Sequence, residues 1–149
     1  MNDHQGAPPV GALLRRPAVV VRHAILHALA SAGFDDVLPA HLGVFQHPGP
    51  DGLRPGVLAA RTQASKQAMN HLLHQLEGAG YLVREPHVTD RRTRIVRLTD
   101  RGWSAMAVMR EALHGLERGW AEALGERTYA ELQRALLRLE DVLDDTLPR

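Results

Sequence analysis

The stretch from Gly56 to Gly102, GVLAARTQASKQAMNHLLHQLEGAGYLVREPHVTDRRTRIVRLTDRG, leaves the chain few folds to adopt. It opens on two short helical patterns, the second beginning at Ser65. These run straight into two strand patterns separated by an arginine-bearing tip. Helix, tight turn, helix and basic hairpin together make a device for gripping duplex DNA. One helix enters the major groove while the hairpin reaches the neighbouring backbone or minor groove.

Local chemistry supports each part. Pro55 suits the first turn of a short helix through Arg61, with Val57 and Leu58 facing inward, and Thr62 to Ala64 makes the turn. Ser65 is an N-cap, its hydroxyl taking a free backbone N–H of the next helix. Met69, Leu72, Leu73 and Leu76 follow at i, i+3, i+4, i+7, one apolar stripe of a helix that runs to Ala79 and is stopped by Gly78 and Gly80. Opposite the stripe lie Lys66, Gln67, Asn70, His71 and His74. Gln and Asn can bond bidentately to adenine, and Lys can donate to guanine. Ser65 and the free N–H groups at the helix start can bind phosphate. Tyr81 to Glu85 and Arg94 to Leu98 alternate as strands should. The tip, Pro86 to Thr93, is too long for a two-residue turn and is expected to be mobile. It carries Asp90, Arg91 and Arg92, with Arg94 opening the returning strand. Arginine suits a narrow, electronegative minor groove. Asp90 repels phosphate, so it is expected to pair with a nearby arginine and fix the aim of the tip.

The flanks read as helices. Residues 1–12 form a Gly- and Pro-rich arm. A helix is expected from Pro17 to Ala32, with Val20, Val21, Ala24, Ile25 and Leu29 on one face and Gly33 as its stop. A second is expected from Pro39 to His47, carrying Leu42, Val44 and Phe45, before a turn at Pro48 to Gly52. Two long helices finish the chain. One bears Met106, Met109, Leu113, Leu116 and Trp120; the other bears Tyr129, Leu132, Leu136, Leu139 and Leu143. Such 3–4 alternation suits helix packing, between subunits or within the chain.

Composition narrows the function. Hydrophobic residues reach 44% while aromatics are only 4%, which favours a mainly helical protein. The absence of cysteine excludes disulfides, thiol redox sensing and cysteine-ligated zinc. No apolar stretch approaches the ~20 residues of a spanning helix, and the N-terminus lacks a secretory pattern, so the cytoplasm is expected. The net charge of +1 hides a polarised distribution. Arg61, Lys66, Arg84, Arg91, Arg92, Arg94, Arg97 and Arg101 crowd the middle. Glu117, Glu122, Glu126, Glu131, Glu140, Asp141, Asp144 and Asp145 dominate the end. A basic middle is suited to a polyanion. Among the nine histidines, His23 and His27 stand i, i+4, and His71 and His74 stand i, i+3. Neither pair has an identified third and fourth ligand, so neither a metal site nor a cofactor is expected. No paired carboxylates, phosphate loop or Ser/His/Asp arrangement indicates an enzyme.

With these residues in hand, the chain resembles the MarR family of winged helix-turn-helix transcription regulators. The resemblance rests on Leu58-Ala59, Ser65, Leu76-Glu77, Gly80, Tyr81 to Val83, Asp90-Arg91-Arg92, and Leu98-Thr99 with Gly102. It implies a mainly α fold with a small β-hairpin wing. The whole of 1–149 would be one domain, a DNA-binding lobe at about 37–99 and a helical dimerisation lobe from about 13–34 and 100–149. It implies a homodimer, most simply a repressor, on a pseudo-palindromic operator of double-stranded DNA. Ser65, Lys66, Gln67, Asn70 and His71 would lie in or near the major groove. Arg92 would enter the minor groove with Asp90 orienting it, and Arg91 and Arg94 would touch the backbone. Relatives often take small aromatic or lipophilic effectors; His23, His27, His41, Phe45 and Trp103 could line such a cleft here. The family's redox sensors use an N-terminal cysteine, which this chain lacks. The stretch between the second and third helices carries an unusual PGPDG, a departure that bears on how the reading unit is supported. A winged-helix dimer serving mainly as a protein-interaction module, with weak DNA binding, is the competing reading.

Overall fold

The computed structural model describes residues 8–46 and 52–146. Its elements are α1 (Val10–Ser31), a 3-10 turn (Pro39–His41) leading into α2 (Leu42–Phe45), α3 (Pro55–Arg61), α4 (Lys66–Gly78), β1 (Leu82–Pro86), β2 (Arg94–Leu98), α5 (Asp100–Leu124) and α6 (Glu126–Thr146). By contact density the chain divides into two compact units, Met1–Ala112 and Leu113–Arg149, with α5 contributing to both.

The first unit holds the winged helix. Its fully buried side chains include Leu29 of α1, Val44 of α2, Leu58 of α3, Met69, Leu73 and Leu76 of α4, and Tyr81, Leu82 and Val96 of the hairpin. Each such side chain contributes about 1.5–3 kcal/mol through removal from water. The apolar stripe read in α4 is the face that is buried, although Leu72 is only half covered. Ser65 caps α4 as expected, its Oγ accepting from the Ala68 N–H at 3.0 Å. The preceding turn places Gln63 at φ 54°, a left-handed conformation in a residue other than glycine.

β1 and β2 pair antiparallel, with Leu82 opposite Leu98 and Pro86 opposite Arg94. The pairing carries through Pro86, so the tip spans only His87 to Thr93. Tyr81 is not part of the strand; its ring is fully buried, edge-on to Phe45 at 5.8 Å between centroids. A third segment joins the sheet that the sequence did not reveal. Leu53 bridges Val96, with N–H···O distances of 3.1 and 2.8 Å. Gly52, at φ +74°, makes this approach possible: a Cβ there would stand 2.5 Å from the Val96 carbonyl oxygen.

The flanking helices differ from expectation in two places. α1 begins at Val10, and Pro17 lies inside it. The first turns are exposed, so water can satisfy the Leu13 carbonyl that Pro17 leaves without a donor. The second helix starts as a 3-10 turn and ends at Phe45. His47, the far end of the expected helix, and Pro48 to Asp51 of the expected turn lie outside the described residues. Thr99 caps α5 as expected, its Oγ1 accepting the Gly102 N–H at 3.1 Å.

In the second unit, the seam of α6 is largely uncovered. Leu132 and Leu143 are exposed, and Leu136 and Leu139 only half-buried. Leu137 and Val142 add further exposed apolar surface. No helix among the described residues is long and apolar enough to cross a membrane.

Candidate nucleic-acid interface

Burial of Met69, Leu73 and Leu76 forces the opposite face of α4 outward. Ser65, Lys66, Gln67, Asn70, His71 and His74 are all exposed. The Ser65 oxygen is engaged in capping, which fixes the start of the helix and aims its first turn. The other end of α4 is tied to the wing. Arg84 of β1 donates from its guanidinium to Glu77 Oε2 at 2.9 and 2.6 Å, and from its backbone N–H to Glu77 Oε1 at 3.2 Å. These hydrogen bonds hold the Glu77 carboxyl below its ordinary pKa. A second tie starts at His41, which is buried. Its Nδ1 accepts the Leu38 N–H at 3.1 Å, so the proton resides on Nε2 and is donated to Gln75 Oε1 of α4 at 3.0 Å.

The wing tip is a hydrogen-bonded turn rather than a loose loop. The His87 N–H donates to the Thr93 carbonyl at 2.8 Å, and the Thr93 N–H to the Asp90 carbonyl at 3.0 Å. Asp90 does not pair with an arginine side chain, as the sequence suggested. Its Oδ2 accepts from Thr93 Oγ1 at 2.7 Å, and its Oδ1 accepts the backbone N–H of Arg92 at 3.1 Å. The physical reason is proximity: an aspartate reaches the N–H two residues ahead without ordering a long side chain. Those two bonds, Thr93 first, lower the Asp90 carboxyl from its ordinary pKa. The tip is therefore set through its backbone, and the arginine side chains stay free.

The basic residues between Arg54 and Arg101 sort into two groups. Arg84 is paired with Glu77, Arg97 with Glu85, and Arg101 with Asp36. Arg54, Arg61, Lys66, Arg91, Arg92 and Arg94 are exposed, and none of them forms an ion pair among the described residues. Arg101 braces the framework from its surface. It donates to Asp36 Oδ2 at 3.1 Å and to the Tyr81 hydroxyl at 3.0 Å, and its guanidinium lies 4.5 Å from the Tyr81 ring centroid. The Tyr81 hydroxyl donates to Asp36 in turn. Burial, then the Asp36 bond, pushes the phenol up to about 12, so it remains a donor at any physiological pH.

Of the residues suggested for an effector cleft, His41 bonds to Leu38 and Gln75, and Phe45 is buried against Tyr81. His23, His27 and Trp103 are exposed. Among the described residues no group of three or more His, Asp or Glu side chains is placed to hold a metal ion. Arg54, the Glu77–Arg84 tie and the Asp36–Tyr81–Arg101 cluster were not singled out from sequence. Only the first carried a local signal, as a cation directly before the proline that opens α3.

Comparisons with known proteins agree with this geometry. A family model described as the MarR family matches residues 46–93. The HTH-type transcriptional repressor Rv2887 of Mycobacterium tuberculosis is 34% identical over 105 residues, which cover 70% of this chain and 73% of the repressor. A crystal structure of that mycobacterial MarR family protein with salicylic acid superposes with a TM-score of 0.64 at 27% identity, covering 90% of this chain and 98% of the other. The repressor CouR bound to a 23-mer DNA duplex shares the fold, with a TM-score of 0.69 at 23% identity over 94% of this chain and 98% of that one. The chain belongs to the MarR family of winged helix-turn-helix transcription regulators.

Proposed function

We propose that two copies of this chain bind a pseudo-palindromic operator in the cytoplasm and repress transcription there. The reading lobe would be residues 37–99, and the dimer lobe residues 13–34 and 100–149. The observation that carries this reading is the segregation of charge in the winged helix. Arg84, Arg97 and Arg101 are paired with carboxylates in the wing strands and at the start of α5, while Lys66, Gln67, Asn70 and His71 on α4 and Arg91, Arg92 and Arg94 at the wing tip are left for a ligand. Lys66, Gln67, Asn70 and His71 read base edges or the adjoining phosphates, with Ser65 at the helix start. Arg92 enters the minor groove from a tip held by Asp90, and Arg91 and Arg94 bind the backbone.

The test is to select bound fragments from a random duplex pool and measure variants on the recovered site. Arg92→Ala should weaken binding by ~1–3 kcal/mol per half-site with unchanged thermal unfolding. Full affinity in that variant would take the wing out of the mechanism. Gln67→Ala and Asn70→Ala should relax base preference more than they lower overall affinity. Equal losses on selected and random duplex would contradict base reading.

Dimerisation would cover the apolar surface left open on α1 and α6, including Leu13, Val20, Leu132 and Leu143. Leu136→Asp should raise the dimer dissociation constant by about tenfold or more, since a carboxylate replaces an apolar group in that seam. Sedimentation velocity would read this, and an unaltered dimer would move the interface elsewhere. Release by a small aromatic or lipophilic effector, near His23, His27, His41, Phe45 and Trp103, requires that it bind the DNA-competent and incompetent forms unequally. The salicylic acid complex of the mycobacterial relative supports that class of ligand.

A further inference from the structure

The bridge between Leu53 and Val96 has a consequence for Arg54. Two backbone hydrogen bonds pin Leu53 to β2, and Gly52 lies close against Val96 and Ile95. The next residue, Arg54, is thereby held at the edge of the wing and immediately before α3. The start of α3 in turn borders the reading helix: Pro55 and Gly56 line a cleft of about 90 Å³ with Lys66 and Asn70 of α4. Arg54 thus stands between the base-reading face of α4 and the wing. It is exposed, with no ion-pair partner among the described residues. Its charge is also felt at the tip, where it helps lower the Asp90 carboxyl after the hydrogen bonds from Thr93 and Arg92.

A reading helix in the major groove and a wing in the adjacent minor groove are separated by one sugar-phosphate strand. A cation fixed between the two protein elements faces that strand. We propose that Arg54 is a sequence-independent phosphate contact, clamping the DNA backbone between the grooves occupied by α4 and the wing. This rests on the operator-binding reading above. The main-chain bridge holds Arg54 in place without a side-chain partner, which leaves its guanidinium free for a bidentate grip on phosphate oxygens.

The experiment measures affinity as a function of salt for the full chain, Arg54→Gln and Arg54→Lys, on the selected operator and on a random duplex of equal length. Arg54→Gln should lose affinity by the same factor on both duplexes, about tenfold per dimer at moderate salt, and its log–log salt slope should be shallower by about two. Arg54→Lys should keep the parent slope with a smaller loss, because a lysine retains the charge without the fork. An unchanged slope and affinity in Arg54→Gln, with Arg92→Ala still impaired, would overturn the Arg54 assignment alone. A loss confined to the operator would also overturn it, by making the residue a base reader. A flat salt response in the parent chain would remove the operator-binding reading and this assignment with it.

Discussion

Gly102→Ala should destabilise the protein by about 3–4 kcal/mol, although alanine is ordinarily the better helix residue by roughly 1 kcal/mol. Gly102 lies in the first turn of α5. A Cβ at this position would stand 2.1 Å from the Tyr81 carbonyl oxygen and 3.1 Å from Leu98 Cβ. The obstacle is backbone, so no rotamer change relieves it. The Tyr81 carbonyl is itself held by the Thr99 N–H at 3.0 Å, and Thr99 Oγ1 donates to the Gly80 carbonyl at 2.6 Å. Making room for the methyl would separate α5 from the base of the hairpin and break those bonds together. At Gly119, in the same helix, nothing beyond the helix's own local backbone comes within 4 Å of the corresponding Cβ position. There alanine should stabilise by up to ~1 kcal/mol. Urea unfolding of both variants gives the comparison. A Gly102→Ala midpoint equal to or above the parent's would refute the close-approach account of the Leu98-Thr99-x-x-Gly102 motif.

That motif shows how far sequence could be read. Its residues identified the family, yet their purpose was invisible, because a carbonyl twenty-one positions upstream makes the glycine necessary. Features set by local rules were legible. The Ser65 cap depends on residues within a single helical turn, and the burial of Met69, Leu73 and Leu76 follows from helical periodicity alone. Features set by competition between local rules were misjudged. Pro17 reads as a first-turn proline, but an exposed helix tolerates one lost donor, so α1 starts at Val10. Asp90 beside two arginines suggested an ion pair, whereas its reach to the backbone N–H two residues on is shorter and less costly in entropy. Features set by tertiary contact were beyond reach. Leu53 has no alternating neighbours to announce a strand, and its bridge to Val96 is what carries Arg54 to the wing. The burial of His41 and its hydrogen bond to Gln75 likewise depend on tertiary neighbours that the sequence does not display.

Affinity for duplex DNA should fall by about 10⁴ between 50 and 200 mM monovalent salt. The chain's net charge of +1 gives no hint of this. What matters is which charges are available at the surface that meets DNA. Arg84, Arg97 and Arg101 are neutralised by Glu77, Glu85 and Asp36. Engagement of roughly four of the remaining cations per protomer would displace counterions from about eight phosphates per dimer, a slope near −7. The same accounting separates DNA binding from the competing interaction-module reading. A protein–protein interface depends on salt mainly through its rim charges and would change far less. A fluorescence-anisotropy titration of a labelled duplex at several salt concentrations decides between them. A slope shallower than about −2 would mean that the free arginines of the wing do not meet phosphate. Sequence preference should persist as the salt rises, because hydrogen bonds from Gln67 and Asn70 to base edges release no counterions. The ratio of operator to random-duplex affinity is therefore expected to hold as salt rises, even as both affinities fall.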